Sequence, residues 1–383
     1  MNLDAKLRKR AADGNPVRVG IIGAGKFGSM FLSQAGHHPG YHVLGVADLS
    51  ATRAKDALAR VGWPKERYQA TNPDDALKNG TTWITEDADA LIDQPALIAE
   101  MVDWARAVGL DVICAGKGTK YLPAYHHVTP DDVWTHYGLT PEQAKAGGMN
   151  PQIFNSFLDG TKSAIEMAAV SNACDLVPQD VGLRFPACGV DDLPRLLSPK
   201  ETGGLLDRKG TVEVVSSLER DTRPVFRDLR WGVYVTFEAP SDYVKRCFSE
   251  YGLLTDPTGQ YSAMYKPYHL IGLELGISVA SAALRHEATG SPRAWSGDAV
   301  AFAKRELAVG DRLDGEGGYT VYGKLMPARM SKTNNALPIG LAHHLTLKRK
   351  VAVDQVVTWD DVDFDAHDPA IRFRKEMEDT FGR

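Results

Sequence analysis

Gly23, Gly25 and Gly28 stand at G-x-G-x-x-G spacing, directly after the apolar run from Val17 to Ile22 and before a helical pattern from Ser29 to Ala35. A strand that feeds a glycine turn and a helix start makes a cradle for a pyrophosphate. The first glycine permits the tight turn, the second lets the backbone approach the phosphates, and the third lets helix and strand pack closely. The helix start adds N–H groups and the positive end of its dipole. A second strand, His42 to Asp48, ends in an acid twenty positions after Gly28. A carboxylate at that place binds ribose hydroxyls. The expected cofactor site is therefore Gly23, Gly25, Lys26, Phe27, Gly28, Asp48 and Arg53, and the cofactor NAD or NADP. Asp48 favours NAD by repelling a 2′-phosphate, whereas Arg53 could pair with that phosphate.

Four further side chains could move protons or stabilise charge. Lys117 lies in the glycine turn Gly116-Lys117-Gly118, at the end of a strand from Leu110 to Ala115. A lysine there can polarise a carbonyl or bind a phosphate as a point charge, and Lys120 is near enough to assist. Glu166 sits among Ala164, Ile165, Met167 and Ala168; a carboxylate in apolar company can have a raised pKa and act as acid or base. His269 is a candidate proton donor or phosphate ligand. Glu274, flanked by Leu273 and Leu275, reads as a buried acid in need of a partner. Lys266 and Tyr268 flank His269 as candidate substrate contacts, and Arg184 and Lys162 are weaker phosphate ligands. Each also has a bland reading: a turn lysine, a solvated helix face, a satisfied histidine. The doublets His37-His38, His126-His127 and His343-His344 lack an i,i+4 partner and read as surface or structural, so no metal is expected.

The bulk numbers narrow the partners. The chain has 383 residues, 43% hydrophobic and 24% charged, with a net charge of −5. This suits two or three soluble domains and gives no support to nucleic-acid or membrane binding. The N-terminal segment has no apolar core of a secretory signal and reads as an amphipathic helix or arm. Cys114, Cys174, Cys188 and Cys247 are too far apart for a zinc site or a disulfide framework, which suits a reducing cytoplasm. The expected partner is a small-molecule substrate.

The positioning elements read as α/β. Residues 17–94 alternate β-α-β-α and reach a third short strand near Thr82. Pro95 to Val108 reads as an amphipathic helix with Gly109 as its cap, and another helix runs from Ser156 or Thr161 to about Ala173. Trp231 to Phe237 alternates as a strand, Leu270 to Arg285 reads as a buried helix, and the segment after Ala294 reads as a small β-rich module.

Several blocks together resemble one family: Gly23 to Gly28, Cys114 to Gly118, Asp159-Gly-Thr-Lys-Ser-Ala-Ile-Glu166, Glu201 to Gly204, and Lys266-Pro-Tyr-His-Leu270 with Glu274. They are similar to the deoxyxylulose-phosphate reductoisomerase-like (DRL) oxidoreductases of the homoserine-dehydrogenase-like superfamily, which carry a C-terminal SAF-like module. The likeness covers roughly Pro16 to Asp363. It implies a Rossmann-type parallel-sheet domain (1–115), an α/β catalytic and dimerisation domain (116–294) and a SAF-like β-rich module (295–383). It also implies an NAD(P)-linked reaction on a sugar-phosphate-like or hydroxy-carbonyl substrate, in a homodimer or higher homo-oligomer. Against the family pattern, the chain passes directly from Ala88-Asp-Ala-Leu-Ile-Asp93 into Gln94-Pro-Ala-Leu. The second half of the dinucleotide sheet, on the order of 60 residues, is missing at this junction. A truncated, non-catalytic relative acting as a binding or assembly module is the alternative reading, and a homoserine dehydrogenase in the narrow sense fits less well.

Overall fold

The computed structural model describes residues 2–85, 95–146, 148–270 and 272–382. Packing divides the chain into two compact units, Met1–Ala96 with His269–Thr289, and Leu97–Tyr268 with Gly290–Arg383. The boundary expected at 115 falls inside a strand of the second unit. Of the junction from Asp93 to Pro95, Asp93 and Gln94 fall within residues 86–94, which lie outside those described.

The first unit begins with a helix, α1 (Leu3–Ala12), then β1 (Val17–Ile22), α2 (Lys26–Ala35), β2 (Tyr41–Ala47), α3 (Ala51–Arg60), α4 (Pro73–Asn79) and β3 (Trp83–Thr85). The three strands form a parallel sheet in the order β1-β2-β3. Val17, Val19 and Ile21 pack with Phe31, Leu32, Val43, Val46 and Leu58. The helix Leu275–Arg285 joins this core through Ala280, and Tyr41 donates to the Gly276 carbonyl at 2.6 Å. It is shorter than the apolar run 270–285 suggested, because Gly272 takes a left-handed φ of +74° and the helix starts only after Glu274. It is also less buried, with Ile277 about half exposed.

The second unit continues with α5 (Pro95–Ala107), β4 (Asp111–Thr119), α6 (Val133–Tyr137), α7 (Pro141–Ala146), α8 (Pro151–Leu158), α9 (Thr161–Cys174), α10 (Leu193–Leu196), β5 (Thr211–Ser216), β6 (Val233–Glu238), α11 (Asp242–Glu250) and β7 (Tyr261–Lys266). The strand expected at 110–115 is β4, and it pairs with β5 and β6. The mixed sheet runs β5-β4-β6-β7, with β4 parallel to β5 and antiparallel to β6. On one face Ala115, Val212, Val214, Val233 and Val235 pack with Ala164, Met167 and Val170 of α9. On the other, Ile113, Val215, Leu229 and Tyr234 form a second core with Leu193 and Leu197. With the Leu275–Arg285 helix as α12, the chain goes on to β8 (Gly297–Ala303), β9 (Arg312–Asp314), β10 (Val321–Pro327), α13 (Ala328–Thr333), β11 (His343–Leu347), β12 (Val362–Asp363) and α14 (Pro369–Phe381). These make two small antiparallel sheets, β10-β8 and β12-β11-β9, around Val321, Leu337, Val357 and Trp359. Among the described residues no helix is long and apolar enough to cross a membrane.

The C-terminal sheets are tied to α9 by a buried polar knot. Gly160, at φ +90°, turns the chain between α8 and α9, a conformation that favours glycine. Asp159 accepts the Thr161 N–H at 2.9 Å, and its other oxygen lies 2.8 Å from the Lys304 ammonium. Lys304 also donates to the carbonyls of Val128 at 2.9 Å and Gly318 at 2.7 Å. Both side chains of the ion pair are almost wholly buried. The Gly323 N–H of β10 donates to the Thr161 hydroxyl at 2.7 Å, and a His126 ring nitrogen lies 2.6 Å from the Asp159 carbonyl. Removing one partner of such a pair leaves an uncompensated buried charge, which costs about 3–5 kcal/mol. Lys304→Met is therefore expected to lower the urea-unfolding free energy by about that amount. The double variant Asp159→Asn/Lys304→Met should lose much less than the sum of the single losses.

Candidate active site

The far end of β4 is built for close backbone approach. A Cβ on Gly116 would meet the Glu213 carbonyl oxygen at 1.8 Å, and one on Gly118 the Leu229 carbonyl oxygen at 1.8 Å. Only glycine fits at either place. Lys117, between them, projects toward α9, where its ammonium pairs with Glu166. Lys162, one turn earlier on α9, pairs with the other Glu166 oxygen at 3.1 Å. The Lys117 side chain is 12% exposed and that of Glu166 6%. Burial pushes the Glu166 carboxyl up, but the charges of Lys117 and Lys162 outweigh it and hold the group below its ordinary range. The raised pKa expected of Glu166 from its apolar neighbours is thus corrected. It is a fixed anion between two ammonium groups, and it orients Lys117.

Lys120, just beyond β4, donates to the His136 carbonyl. Burial lowers its pKa, and the charge of Arg230 lowers it further. Arg230 was not legible in the sequence as a site residue; the close backbone approach of residue 118 brings it here. Lys266 ends β7 and lies 3.6 Å from Glu100, with both side chains about half exposed, a pairing worth little. Tyr268 is largely exposed. His269 and Glu274 belong to the first unit, where they lie 3.3 Å apart and Glu274 also accepts the Leu270 N–H at 3.2 Å. The partner expected for Glu274 is thus His269. Arg184, a candidate phosphate ligand, is committed to Asp207. Of the histidine doublets, His126 belongs to the polar knot and His38 lies 3.0 Å from Asp4. Among the described residues no group of ligands could hold a metal ion.

The glycine loop in the first unit has the geometry its spacing requires. Gly23 takes φ +87°, and its N–H donates to the Ala47 carbonyl at 2.7 Å. A Cβ on Gly28 would stand 2.1 Å from the Gly23 carbonyl oxygen, whereas one on Gly25 would meet nothing within 4 Å. The loop is thus closed on the helix side and open around Gly25, the N-cap of α2. Lys26 and Phe27 are exposed in the first turn. Asp48 is buried, accepting the Ala24 N–H at 2.7 Å and the Ser50 N–H at 3.1 Å, and pairing with Arg53 at 2.6 Å. Burial raises its pKa, but these donors outweigh that and leave it low. Asp48 therefore braces the loop from beneath, and the Arg53 side chain, 58% exposed, carries charge to the surface.

The second unit holds another buried acid with the opposite behaviour. Glu213 on β5 accepts the N–H groups of Arg184 and Val214 at 2.9 Å and the Gln179 amide at 3.2 Å. Burial pushes its carboxyl from the ordinary 4.5 up to about 7, against the pull of those N–H donors. The folded chain holds this proton more tightly than the unfolded chain. Its contribution to stability is complete below about pH 4.5 and is lost as pH rises through about 7. Thermal or urea unfolding should therefore show stability falling across that window, and Glu213→Gln should flatten the fall.

No match to a curated protein is found. Residues 93–275 match the family model described as "Oxidoreductase DRL, catalytic domain". The match begins at Asp93. It takes in Lys117, Lys120, Glu166 and His269 and leaves the glycine loop outside. Over residues 93–275 the chain is thus similar to the catalytic domain of the DRL oxidoreductases.

Proposed function

We propose that the chain is a nicotinamide-dependent oxidoreductase that reduces or forms a carbonyl on a hydroxy-carbonyl or sugar-phosphate-like substrate. The observation that carries this reading is the glycine loop, shaped by Gly23 and Gly28 and open at Gly25, in a chain with an oxidoreductase catalytic domain. The residues present fit a dinucleotide. Gly25 leaves room for a pyrophosphate against the first turn of α2, and the exposed Arg53, held by the buried Asp48, would meet the adenosine ribose end. Nicotinamide bound there would supply or accept the hydride. Lys117, oriented by Glu166, would stabilise the charge that develops on a carbonyl oxygen. Because Glu166 is held as a carboxylate, its role is to fix that ammonium and not to deliver a proton. His269, braced by Glu274, remains the candidate for proton movement in this reading. The Asp48–Arg53 pair leaves the ribose end without net negative charge, which suits NADP as well as NAD.

Titration with NADH and NADPH, followed by nicotinamide fluorescence, tests this reading. Saturable binding is expected, with Gly25→Asp losing it. Arg53→Ala should shift the preference toward NADH by roughly tenfold, the worth of one charge-assisted contact. No saturable binding of either nucleotide would overturn the proposal.

A further inference from the structure

The helix α14 has two faces of opposite character. Ile371 on the inner face is 5% exposed and joins the C-terminal core. Arg374 grips Asp298 with two nitrogens, at 3.1 and 2.6 Å, meets Glu378 at 2.6 Å, and lies 4.8 Å over the Trp295 ring. The Lys375 ammonium lies 4.3 Å over the Trp359 ring and 3.2 Å from the other Glu378 oxygen. Lys332 of α13 closes the C-terminal end, donating to the Glu378 carbonyl at 3.0 Å and the Gly382 carbonyl at 3.1 Å. These bonds fix which face of α14 looks outward.

The outer face is apolar and open. Phe373 is 72% exposed and Phe381 59%. At about 3.6 residues per turn, Phe373, Met377 and Thr380 form one stripe with Phe381 at its edge, and Arg372 and Glu376 run beside it. Among the described residues Arg372 and Glu376 stand in no ion pair, whereas Arg374, Lys375 and Glu378 of the inner face are paired. A cleft of about 660 Å³ lies along the stripe, lined among others by Phe364, Ala366, Pro369, Phe373 and Thr380. Phe364 is held edge-on against Trp359, with centroids 5.0 Å apart. Large aromatic side chains grouped in water mark a docking surface.

Its charges and shape name the occupant. A second α14 laid antiparallel about residue 374 sets Arg372 opposite the partner's Glu376, and Glu376 opposite the partner's Arg372. A parallel copy would set like charge against like. The antiparallel symmetry also lays Phe373 on the partner's Phe373. Phe381, seven residues beyond the midpoint, comes level with the partner's cleft wall at 364–369. Each copy thus offers a projecting ring and a cleft, the self-complementarity that an isologous twofold contact requires.

We propose that the outer face of α14 is an interface between two copies of this chain, paired antiparallel through Phe373, Phe381 and reciprocal Arg372–Glu376 contacts. The proposal does not rest on the oxidoreductase reading, and it places the contact outside residues 116–294, where the family resemblance puts dimerisation. A pair of helices each ~20 Å long gives an interface at the low end of specific contacts, under ~1,200 Å². The association is therefore reversible and concentration-dependent, with the rim charges setting orientation more than affinity.

Sedimentation velocity of the full chain, over about a hundredfold range of concentration around the micromolar level, tests this. The proteins are the wild type, Phe373→Glu, Arg372→Glu, the double variant Arg372→Glu/Glu376→Arg, and Phe226→Ser. Phe226, 83% exposed in the loop before β6, is the control. The wild-type mass is expected to double as concentration rises. Phe373→Glu and Arg372→Glu should each raise the dissociation constant by roughly tenfold or more. The double variant should restore it to within about threefold of wild type, and Phe226→Ser should leave it unchanged. Unchanged melting temperatures would show that the variants fold. A wild-type mass that Phe373→Glu lowers at no concentration, a chain monomeric throughout included, would overturn the interface. A double variant as dissociated as Arg372→Glu would overturn the antiparallel pairing.

Discussion

The Asp159–Lys304 ion pair is the constraint on which the second unit depends. It joins a turn in the middle of the chain to a lysine immediately beyond β8, 145 positions later, and both side chains are withdrawn from water. Such a pair is weak evidence for net stability, because desolvation of two charges consumes most of their attraction. Its force lies in register. Lys304 also meets two carbonyl oxygens, and Asp159 also caps the first N–H of α9, so any slippage would strand a charge among apolar neighbours. The C-terminal sheets are therefore part of the scaffold that fixes where α9 begins, and hence where Lys162 and Glu166 stand.

From that fixed helix the electrostatics of the site follow. Glu166 and Glu213 are both buried carboxylates, and their environments drive them apart. Two ammonium groups keep Glu166 charged, whereas Glu213 meets mostly neutral N–H donors and is pushed toward neutrality at about pH 7. Gly116 and Gly118 make the arrangement possible sterically, since any larger residue would drive β4 from β5 and from the 229–230 turn. One stretch of five residues, 116–120, thus carries a lysine neutralised by an internal acid and a lysine that, among the described residues, donates to a carbonyl instead.

What was legible in the sequence was whatever a local pattern enforces. The glycine loop could be read because its spacing is a steric requirement, and the Gly28 clash with Gly23 is that requirement in atomic form. The α/β class followed from alternating periodicities. Lys117 and Glu166 could be picked out as residues, but not as a pair, because 49 positions separate them and the sheet brings them together. The same blindness gave Glu166 the wrong direction of pKa shift: its sequence neighbours are apolar, while its spatial neighbours are cations. The strand 110–115 was seated in the first domain because it follows a helix in βαβ order, whereas its pairing with β5 and β6 depends on residues about 100 positions on. Glu213 did carry a signal, a single charge within the apolar run Thr211-Val-Glu-Val-Val215, whereas Lys304 opens the charged triplet Lys304-Arg-Glu306 and reads as surface. A buried charge of that kind demands a partner. Arg230 carried none, since its place is set by a turn.

Amide hydrogen exchange in wild-type chain and in Lys304→Met tests most directly whether the ion pair sets the start of α9. The account predicts that protection falls together at Thr161 to Glu166 and at Gly323, whose N–H meets the Thr161 hydroxyl, while β1 and β2 of the first unit keep theirs. Full protection of the first turns of α9, with loss confined to the C-terminal sheets, would contradict it.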